Sequence, residues 1–429
     1  MKARGGPIDE NRSTDRTRAR ATTALALVVV TIGVFLYAFT WVTTPLQGDF
    51  TFLDMLNNLI PPGPEMADQD LYHYTVVAMN EGTGYYEAFS ETLELRNQNG
   101  GPEVNLSTPL SFRPPTLYWL LSLLPLTGIS YFLATFAIGI VGAAGGFLLA
   151  RRLAHPAVAV ASYGAVLLLY AGFSQGVVLF GTEIWAGALG LLSVGLLLTA
   201  SGPDAARDGA GRSWLGAPTL VWAAAAAALG ATLLRELAIA FLLVGLLAAL
   251  ADRHARAARW WLPWVAALVL AGIAYAAHVA AATPWLVPDS AGTRGFVWFD
   301  ATGAGLPAGL GRTAWFLQTS PLVVAVLIAA GVLGALIAPR AARHRVALGL
   351  VAIGGPLVAT FFHPPGFGSV SSVPGYWIDL VTPTIMACVP LAALVWPRLR
   401  ATHGAIVADE PRADSGDAVD SATTTPATP

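Results

Sequence analysis

The chain has 429 residues, of which 55% are hydrophobic and only 12% are charged, with a formal net charge of −2. Ordinary soluble domains carry about twice that fraction of charged residues, so the composition excludes them and indicates a membrane protein. The single cysteine, Cys388, excludes an intramolecular disulfide. We expect no nucleic-acid partner.

Apolar runs long enough to cross a bilayer core recur along most of the sequence. They predict an all-α polytopic membrane protein with a bundle of about ten transmembrane helices, the first at 21–43 and about nine more between 129 and 397. The segments around Arg235-Glu236 can also be drawn as one broken pair. We place the spans at 21–43, 129–150, 157–172, 177–200, 215–234, 237–250, 260–282, 314–338, 346–362 and 377–396.

The arginines indicate how the chain is threaded through the membrane. All but five of the 24 Lys and Arg residues fall in the basic N-terminal segment 1–20, in alternate connections between spans, or in the tail at 398–429. Because cytoplasmic loops carry an excess of Lys and Arg, both termini are predicted to be cytoplasmic and the loop at 44–128 extracytoplasmic. The composition of the tail is typical of disorder. The other five cations are Arg96, Arg113, Arg235, Arg294 and Arg312.

Two interfacial helices are predicted within the loop at 44–128. A run at 70–80 repeats apolar residues at helical spacing, and two glycines follow it. A second apolar run at 116–126 begins after a pair of prolines, which suit the first turn of a helix, and is too short to span a bilayer. Both helices are therefore expected to lie in the membrane interface.

Asp68 and Asp70 stand just ahead of the first predicted interfacial helix. A carboxylate there can accept or orient the proton of an acceptor hydroxyl, which makes both of them candidate catalytic residues. Two other interpretations stay open. Aspartate is a favoured N-cap or first-turn residue, and an Asp-x-Asp pair can hold a divalent cation through oxygen ligands. We expect no other cofactor or metal site, and we interpret His278 and His363 as structural because no metal-ligand spacing accompanies them.

Arg113 stands directly before the proline pair. An interfacial arginine can simply extend its side chain toward lipid headgroups. The alternative joins two effects, because the start of a helix offers free backbone N–H groups and a guanidinium adds bidentate donors. This combination predicts a phosphate site at the depth of a lipid phosphate. Arg235 and Arg312, on the same predicted side, are further candidates for binding phosphate.

More ionisable residues fall at the predicted external ends of spans, among them Glu183, Arg235-Glu236 and Asp379. An Arg-Glu pair can neutralise itself, but charge buried near a membrane usually marks a cavity. We therefore assign Glu183 and Glu236 to a candidate substrate cavity. Aromatic rings near it could stack on a sugar, or could belong to the aromatic belt of a membrane interface. The aromatic residues assigned to this cavity are Tyr72, Tyr85, Tyr118 and Trp119.

The motifs at the two ends of the external loop resemble those of GT-C glycosyltransferases, in particular the lipid A aminoarabinose transferase and protein O-mannosyltransferase branch. The likeness in topology covers nearly the whole chain, whereas the specific motifs cover a small part of it. The matching motifs are Asp68-x-x-x-Tyr72, Gly82-x-Gly84-Tyr85, Arg113-Pro114-Pro115-x-Leu117-Tyr118-Trp119, Gly181-Thr182-Glu183 and, more loosely, Arg235-Glu236 and Tyr376 to Pro383.

This resemblance implies an inverting hexosyl- or pentosyltransferase of the cell membrane. Such an enzyme moves a sugar from a polyprenyl-phosphate donor to an envelope glycan, lipid or protein on the extracytoplasmic face. The resemblance implies Asp68 as the acidic catalytic residue and Arg113 as the contact of the donor phosphate. The sequence departs from the family in three places: Gln69 replaces a glutamate, Asp70 is additional, and Arg113 replaces the commoner lysine. A second hypothesis is a transporter or lipid-handling protein without catalysis, which mid-depth charges on discontinuous helices and a repeat between the two halves would favour. A third is a non-catalytic relative that kept the fold.

Overall fold

The computed structural model describes residues 8–44, 68–99, 109, 112–174, 181–200, 217–287, 310–311, 313–314, 317–338, 342–357 and 375–394. Over these ranges every regular element is a helix. The all-α part of the predicted fold class is therefore confirmed for these ranges. The tail at 398–429, and Arg312 within the stretch that follows 287, lie outside the described residues.

Fourteen α-helices follow one another along the described part of the chain. Short 3-10 turns precede α9 at Glu236–Ala238, extend α11 at Thr283–Trp285, and flank α14 at Gly375–Leu380 and Val389–Leu394; a π-helix at Leu350–Gly354 continues α13. The helices are α1 Ile8–Thr43, α2 Asp68–Asn80, α3 Tyr85–Gln98, α4 Thr116–Ser122, α5 Gly128–Leu153, α6 Pro156–Phe173, α7 Thr182–Ala200, α8 Ala217–Leu234, α9 Ile239–Ala251, α10 Arg253–Ala257, α11 Leu262–Ala282, α12 Pro321–Ile337, α13 Ala342–Gly349 and α14 Thr382–Cys388.

Six of these helices are long and apolar enough to cross a membrane. They are the ones in α1, α5, α6, α7, α8 and α11, and each coincides with a predicted span. The predicted count of about ten is not confirmed. The other four predicted spans coincide with shorter apolar helices, of 10–17 residues in the part of the chain that the structure describes. Arg235, in extended backbone, ends the helix before one of them, Pro321 is the first residue of another, and a π-helix lies within a third.

The centre of the bundle is formed by α5, α6, α7 and α8. Helix α5 packs against α6 and α7, while α7 also packs against α8, and α1 and α11 lie on the outside against α6 and α8. Gly145 of α5 permits one close approach, since a Cβ atom there would lie 2.6 Å from the Cα atom of Leu192 in α7. Small residues of this kind let membrane helices pack backbone against backbone.

The short helices α2, α3 and α4 gather at one end of this bundle, which we name the loop end. Helix α2 packs against both α3 and α4. Helix α2 coincides with the first predicted interfacial run, α4 covers only the first part of the second, and α3 is additional. The chain turns between α8 and α9 at this end. At the other end, which we name the arginine end, α5 finishes with Arg151 and Arg152, and α9 is joined to α11 through α10.

Candidate functional site

Arg235 is the central charged residue of the loop end. Its backbone is extended, with φ −148° and ψ 118°, so α8 stops and the chain turns into α9. The side chain is 1% exposed and forms two ion pairs: Nε lies 2.8 Å from Oε1 of Glu183, and Nη1 lies 3.1 Å from Oε1 of Glu236. A buried charge needs such partners, because burying it alone would cost several kcal/mol. Arg235 thus pairs both with its sequence neighbour Glu236 and with Glu183 from another helix.

The two carboxylates differ in their surroundings. Glu183 lies buried in the first turn of α7, where the positive end of the helix dipole favours a negative charge, and its Oε2 accepts a hydrogen bond from the Thr182 hydroxyl at 3.3 Å. The Glu236 side chain is 21% exposed, in the turn after α8. Burial raises the pKa of Glu236, but the guanidinium groups of Arg235 and Arg113 outweigh burial and hold that pKa below its usual value.

Arg113 is held from two sides by tyrosines of the loop end. Its Nε donates to the hydroxyl of Tyr72 at 3.0 Å, and its backbone carbonyl accepts from the hydroxyl of Tyr85 at 2.8 Å. Tyr72 belongs to α2 and Tyr85 to α3, so both helices contact Arg113 in the segment before α4. Arg113 acts electrostatically on Glu236, and it therefore belongs to the same charge cluster as Arg235.

Three stacked tyrosines lie beside this cluster. The ring of Tyr118 stacks on Tyr72 at 5.0 Å between centroids and on Tyr85 at 5.3 Å. Burial raises the pKa of the Tyr118 hydroxyl well above its usual value, and the negative charge of Glu183 raises it further. That hydroxyl is buried and makes no hydrogen bond to any residue of the described segments. A neutral phenol in this position retains its O–H as an unused donor.

A histidine links the same region to α11. The hydroxyl of Tyr86 lies 2.8 Å from Nδ1 of His278, and Nε2 of His278 lies 3.2 Å from the carbonyl oxygen of Phe112. Burial raises the pKa of Tyr86 to about 12, so this hydroxyl stays protonated at neutral pH. The sequence led us to interpret His278 as a structural residue. Its contact with the carbonyl of Phe112 shows which part of the backbone it supports.

Asp68 and Asp70 begin α2. Asp70 is buried, and its charge acts on Tyr74, four residues later. Asp68 is placed one helical turn before Tyr72, on the same side of the helix. The Asp68 side chain lies outside the described side chains, and the described residues include no group of three or more His, Cys, Asp or Glu that could hold a metal. The cation site at Asp68 and Asp70 stays a prediction.

The remaining candidate residues lie apart from this cluster. Trp119 is 54% exposed on the outer surface of α4. Asp379 is fully buried in the turn before α14, near Tyr170, whose hydroxyl donates to the carbonyl of Ile184 in α7. The structure therefore brings together Arg113, Arg235, Glu183, Glu236, Tyr72, Tyr85 and Tyr118, and adds Tyr86, Phe112 and His278.

A small pocket lies far from them, at the arginine end, between Leu198, Ala248, Trp260 and His344.

The assembled residues have a defined chemical capacity. Two guanidinium groups and two carboxylates balance in formal charge, and two of the tyrosines anchor Arg113. Such a cluster can receive an anionic group at the partly exposed Arg113 while the buried ion pairs keep the surrounding helix ends in place. No family model matches the chain, and neither a curated protein nor a solved structure matches it.

Proposed function

We propose that this protein is a membrane glycosyltransferase that moves a sugar from a polyprenyl-phosphate donor to an acceptor on the extracytoplasmic face. The observation that carries the proposal is the meeting of both ends of the first long loop at the loop end of the bundle. Arg113, from the close of that loop, contacts Tyr72, which lies one turn after Asp68 at its start. This contact supports the proposal, because it joins the two elements that carry the proposed phosphate ligand and the proposed base.

The two arginines take different roles in this proposal. Arg235 is almost fully buried and is engaged by two carboxylates, so it serves to position Glu183 and Glu236. Arg113 is partly exposed, is separated from the first residue of α4 by two prolines, and has its backbone carbonyl bound by Tyr85. A guanidinium there suits a phosphate oxygen, since it can offer paired N–H donors to it. The geometry therefore favours Arg113 as the phosphate ligand.

The proposed reaction is a single displacement at the anomeric carbon. The acceptor hydroxyl gives its proton to an aspartate, and its oxygen forms the new bond while the bond from the anomeric carbon to the phosphate oxygen breaks. The electron pair leaves with the phosphate, as polyprenyl monophosphate, and the anomeric configuration inverts. Arg113 stabilises the negative charge that develops on the leaving oxygen. The Tyr118 hydroxyl, an unused donor beside the cluster, can hydrogen-bond the sugar or the phosphate once a substrate displaces its neighbours.

The helical placement favours Asp68 over Asp70 as the base. Residues four apart share a face of a helix, and position 68 is one turn before Tyr72, whose hydroxyl accepts from Arg113. Asp70 lies on the side that carries Tyr74 and is buried there. Asp70 accordingly fits a structural role in the first turn of α2.

A panel of polyprenyl-phosphate sugars, supplied to the protein in lipid nanodiscs, tests this proposal. We expect one donor to give transfer that Asp68→Asn and Arg113→Ala each reduce by at least about a hundredfold, the usual contribution of a general base or of an electrostatic donor. The matched control is Glu87→Gln, an exposed carboxylate on α3. Full activity in Asp68→Asn would refute the base. Saturable lipid binding without transfer from any donor would instead indicate a lipid-handling protein.

A further inference from the structure

Two consecutive tyrosines of α3 hold two consecutive carbonyl groups before α4. The hydroxyl of Tyr85 donates directly to the carbonyl of Arg113, and the hydroxyl of Tyr86 reaches the carbonyl of Phe112 through the ring of His278. Arg113 is followed by two prolines, which carry no N–H to donate. The backbone bonds of this segment lie on either side of Arg113, from the Phe112 N–H to Pro109 and from the Trp119 N–H to Pro115. Side chains from α3 and α11 supply the further hydrogen bonds to the carbonyls of Phe112 and Arg113.

The hydrogen-bond partners determine how the proton of His278 is placed. A backbone carbonyl only accepts, so Nε2 of His278 must carry the hydrogen that points to Phe112. In the neutral ring Nδ1 then accepts the hydrogen of the Tyr86 hydroxyl. The chain of donors runs in one direction, from Tyr86 through His278 to Phe112. Each member is satisfied, and this makes the arrangement rigid.

We propose that Tyr86 and His278 are positioning residues that fix Arg113 for binding a lipid-linked phosphate. The inference rests on the proposed phosphate role of Arg113. An arginine at a membrane interface otherwise extends toward any headgroup and samples many rotamers. The carbonyls of Phe112 and of Arg113 itself are both anchored, and Tyr72 binds Nε of Arg113. The Arg113 guanidinium is therefore confined before the ligand arrives. Less conformational freedom is then lost on binding.

Binding of polyprenyl monophosphate in neutral-lipid nanodiscs provides the main test. We expect Tyr86→Phe, which removes one buried hydrogen bond, to weaken binding about tenfold, and His278→Ala, which removes two, to weaken it at least as much. The double variant should be no weaker than His278→Ala, because both residues act in one chain. His278→Gln, whose amide both donates and accepts, is expected to restore most of the affinity. The matched control is Tyr275→Phe, one turn earlier on α11, which should bind as the wild type does.

The background variant Arg113→Ala separates positioning from general support of the fold. If Tyr86 acts through Arg113, Tyr86→Phe has no further effect on binding once Arg113 is absent. An equal loss in both backgrounds would overturn the inference, because it would show that Tyr86 supports the whole region. Unchanged binding in both single variants would overturn it as well.

A second measurement does not depend on any lipid substrate. The rate at which phenylglyoxal modifies Arg113, followed by peptide mass mapping, reports how confined its guanidinium is. We expect Tyr86→Phe and His278→Ala to raise that rate several-fold, with Tyr275→Phe unchanged, as expected when two hydrogen bonds that hold a segment are broken. If the rate responds but no polyprenyl phosphate binds, the positioning contact stands and the proposed function fails. If the rate does not respond, the positioning contact is refuted.

Discussion

Arginines occupy both ends of the bundle, but in opposite states. At the loop end, Arg235 is enclosed between two carboxylates from different elements, and Arg113 is held by tyrosines. At the arginine end, Arg253, Arg256 and Arg259 are exposed on the turn around α10. Each exposed side chain there can remain hydrated, whereas Arg235 must be matched atom by atom.

This difference separates two uses of one residue type. Exposed arginines at one end need only their number, because an excess of positive charge is what orients a membrane protein. The buried arginine needs partners that lie far along the sequence, since Glu183 belongs to α7 and Arg235 follows α8. A charge that requires such matching points to a role beyond orientation.

The side of the membrane on which each end of the bundle lies can be tested by cysteine labelling, which should give an all-or-none result. The lone native thiol, Cys388, is buried and should not react, so single cysteines can be introduced at exposed positions of each end. We expect a membrane-impermeant maleimide to label Asn99→Cys at the loop end in intact cells, and to label Ala257→Cys at the arginine end only after the membrane is opened, because arginine-rich ends stay cytoplasmic. The reverse pattern would place the proposed site in the cytoplasm.

The largest loss of stability is expected from Arg235→Ala. Removing one member of a buried ion pair leaves its carboxylates unmatched and costs about 3–5 kcal/mol in the free energy of unfolding. The matched control at the other end is Arg256→Ala, which should stay within about 0.5 kcal/mol of the wild type. Denaturant unfolding in mixed micelles measures both. Equal stability of the two variants would mean that the ion pairs at Arg235 contribute nothing beyond surface charge.

A smaller loss is expected where helices touch in the middle of the bundle. Gly145→Ala adds a Cβ atom 2.6 Å from the Cα atom of Leu192, so α5 and α7 must separate. Overpacking of this kind costs about 1–3 kcal/mol. Gly272→Ala in α11, where an added Cβ would meet nothing within 4 Å, is the control and should not lose stability. If both substitutions are neutral, the close approach of α5 and α7 is not needed for stability.

The mildest effect is confined to acidic pH and concerns His73 in α2. Burial lowers the pKa of His73 from 6.5 to about 4, so the folded protein favours the neutral ring. Its contribution to stability is complete above pH 6.5 and is lost as the pH falls toward 4, because the unfolded chain then binds the proton more readily. We expect the melting temperature of His73→Leu to fall less than that of the wild type between pH 7 and pH 4.5. Parallel pH profiles would contradict this.

Charge and hydrophobicity predicted which residues share the loop end, but not which of them touch. The six long spans follow from apolar runs, and Arg113, Arg235 and Glu183 could be assigned to one side from the distribution of arginine. The contact between Tyr86 and His278 joins residues 192 positions apart in the sequence, and no local pattern encodes such a distance. The position of Tyr86 next to Tyr85, within a motif already singled out, was the signal in the sequence that pointed toward this contact.

Local structure was missed where the usual signals are weak. Helix α3 begins at Tyr85 after Gly84, which provides no side-chain cap, and its sequence mixes exposed glutamates with apolar residues, so the sequence did not predict a helix there. The break at Arg235 was visible as charge within an apolar run, yet its extended backbone depends on partners in α7. The predicted bounds of the long spans differ from those of the helices by a few residues, since apolar composition does not reveal where a helix stops.

The shortness of α9 has a consequence for the lipid around it. Its 13 residues, with the three of the 3-10 turn before it, extend about 25 Å, whereas the hydrocarbon core of a bilayer is about 30 Å thick. A path this short between the two ends of the bundle creates a small hydrophobic mismatch, which lipids can relieve by thinning locally. We therefore expect headgroups beside α9 to lie closer to Arg235 and Glu236, so that a lipid phosphate there has less hydrocarbon to cross.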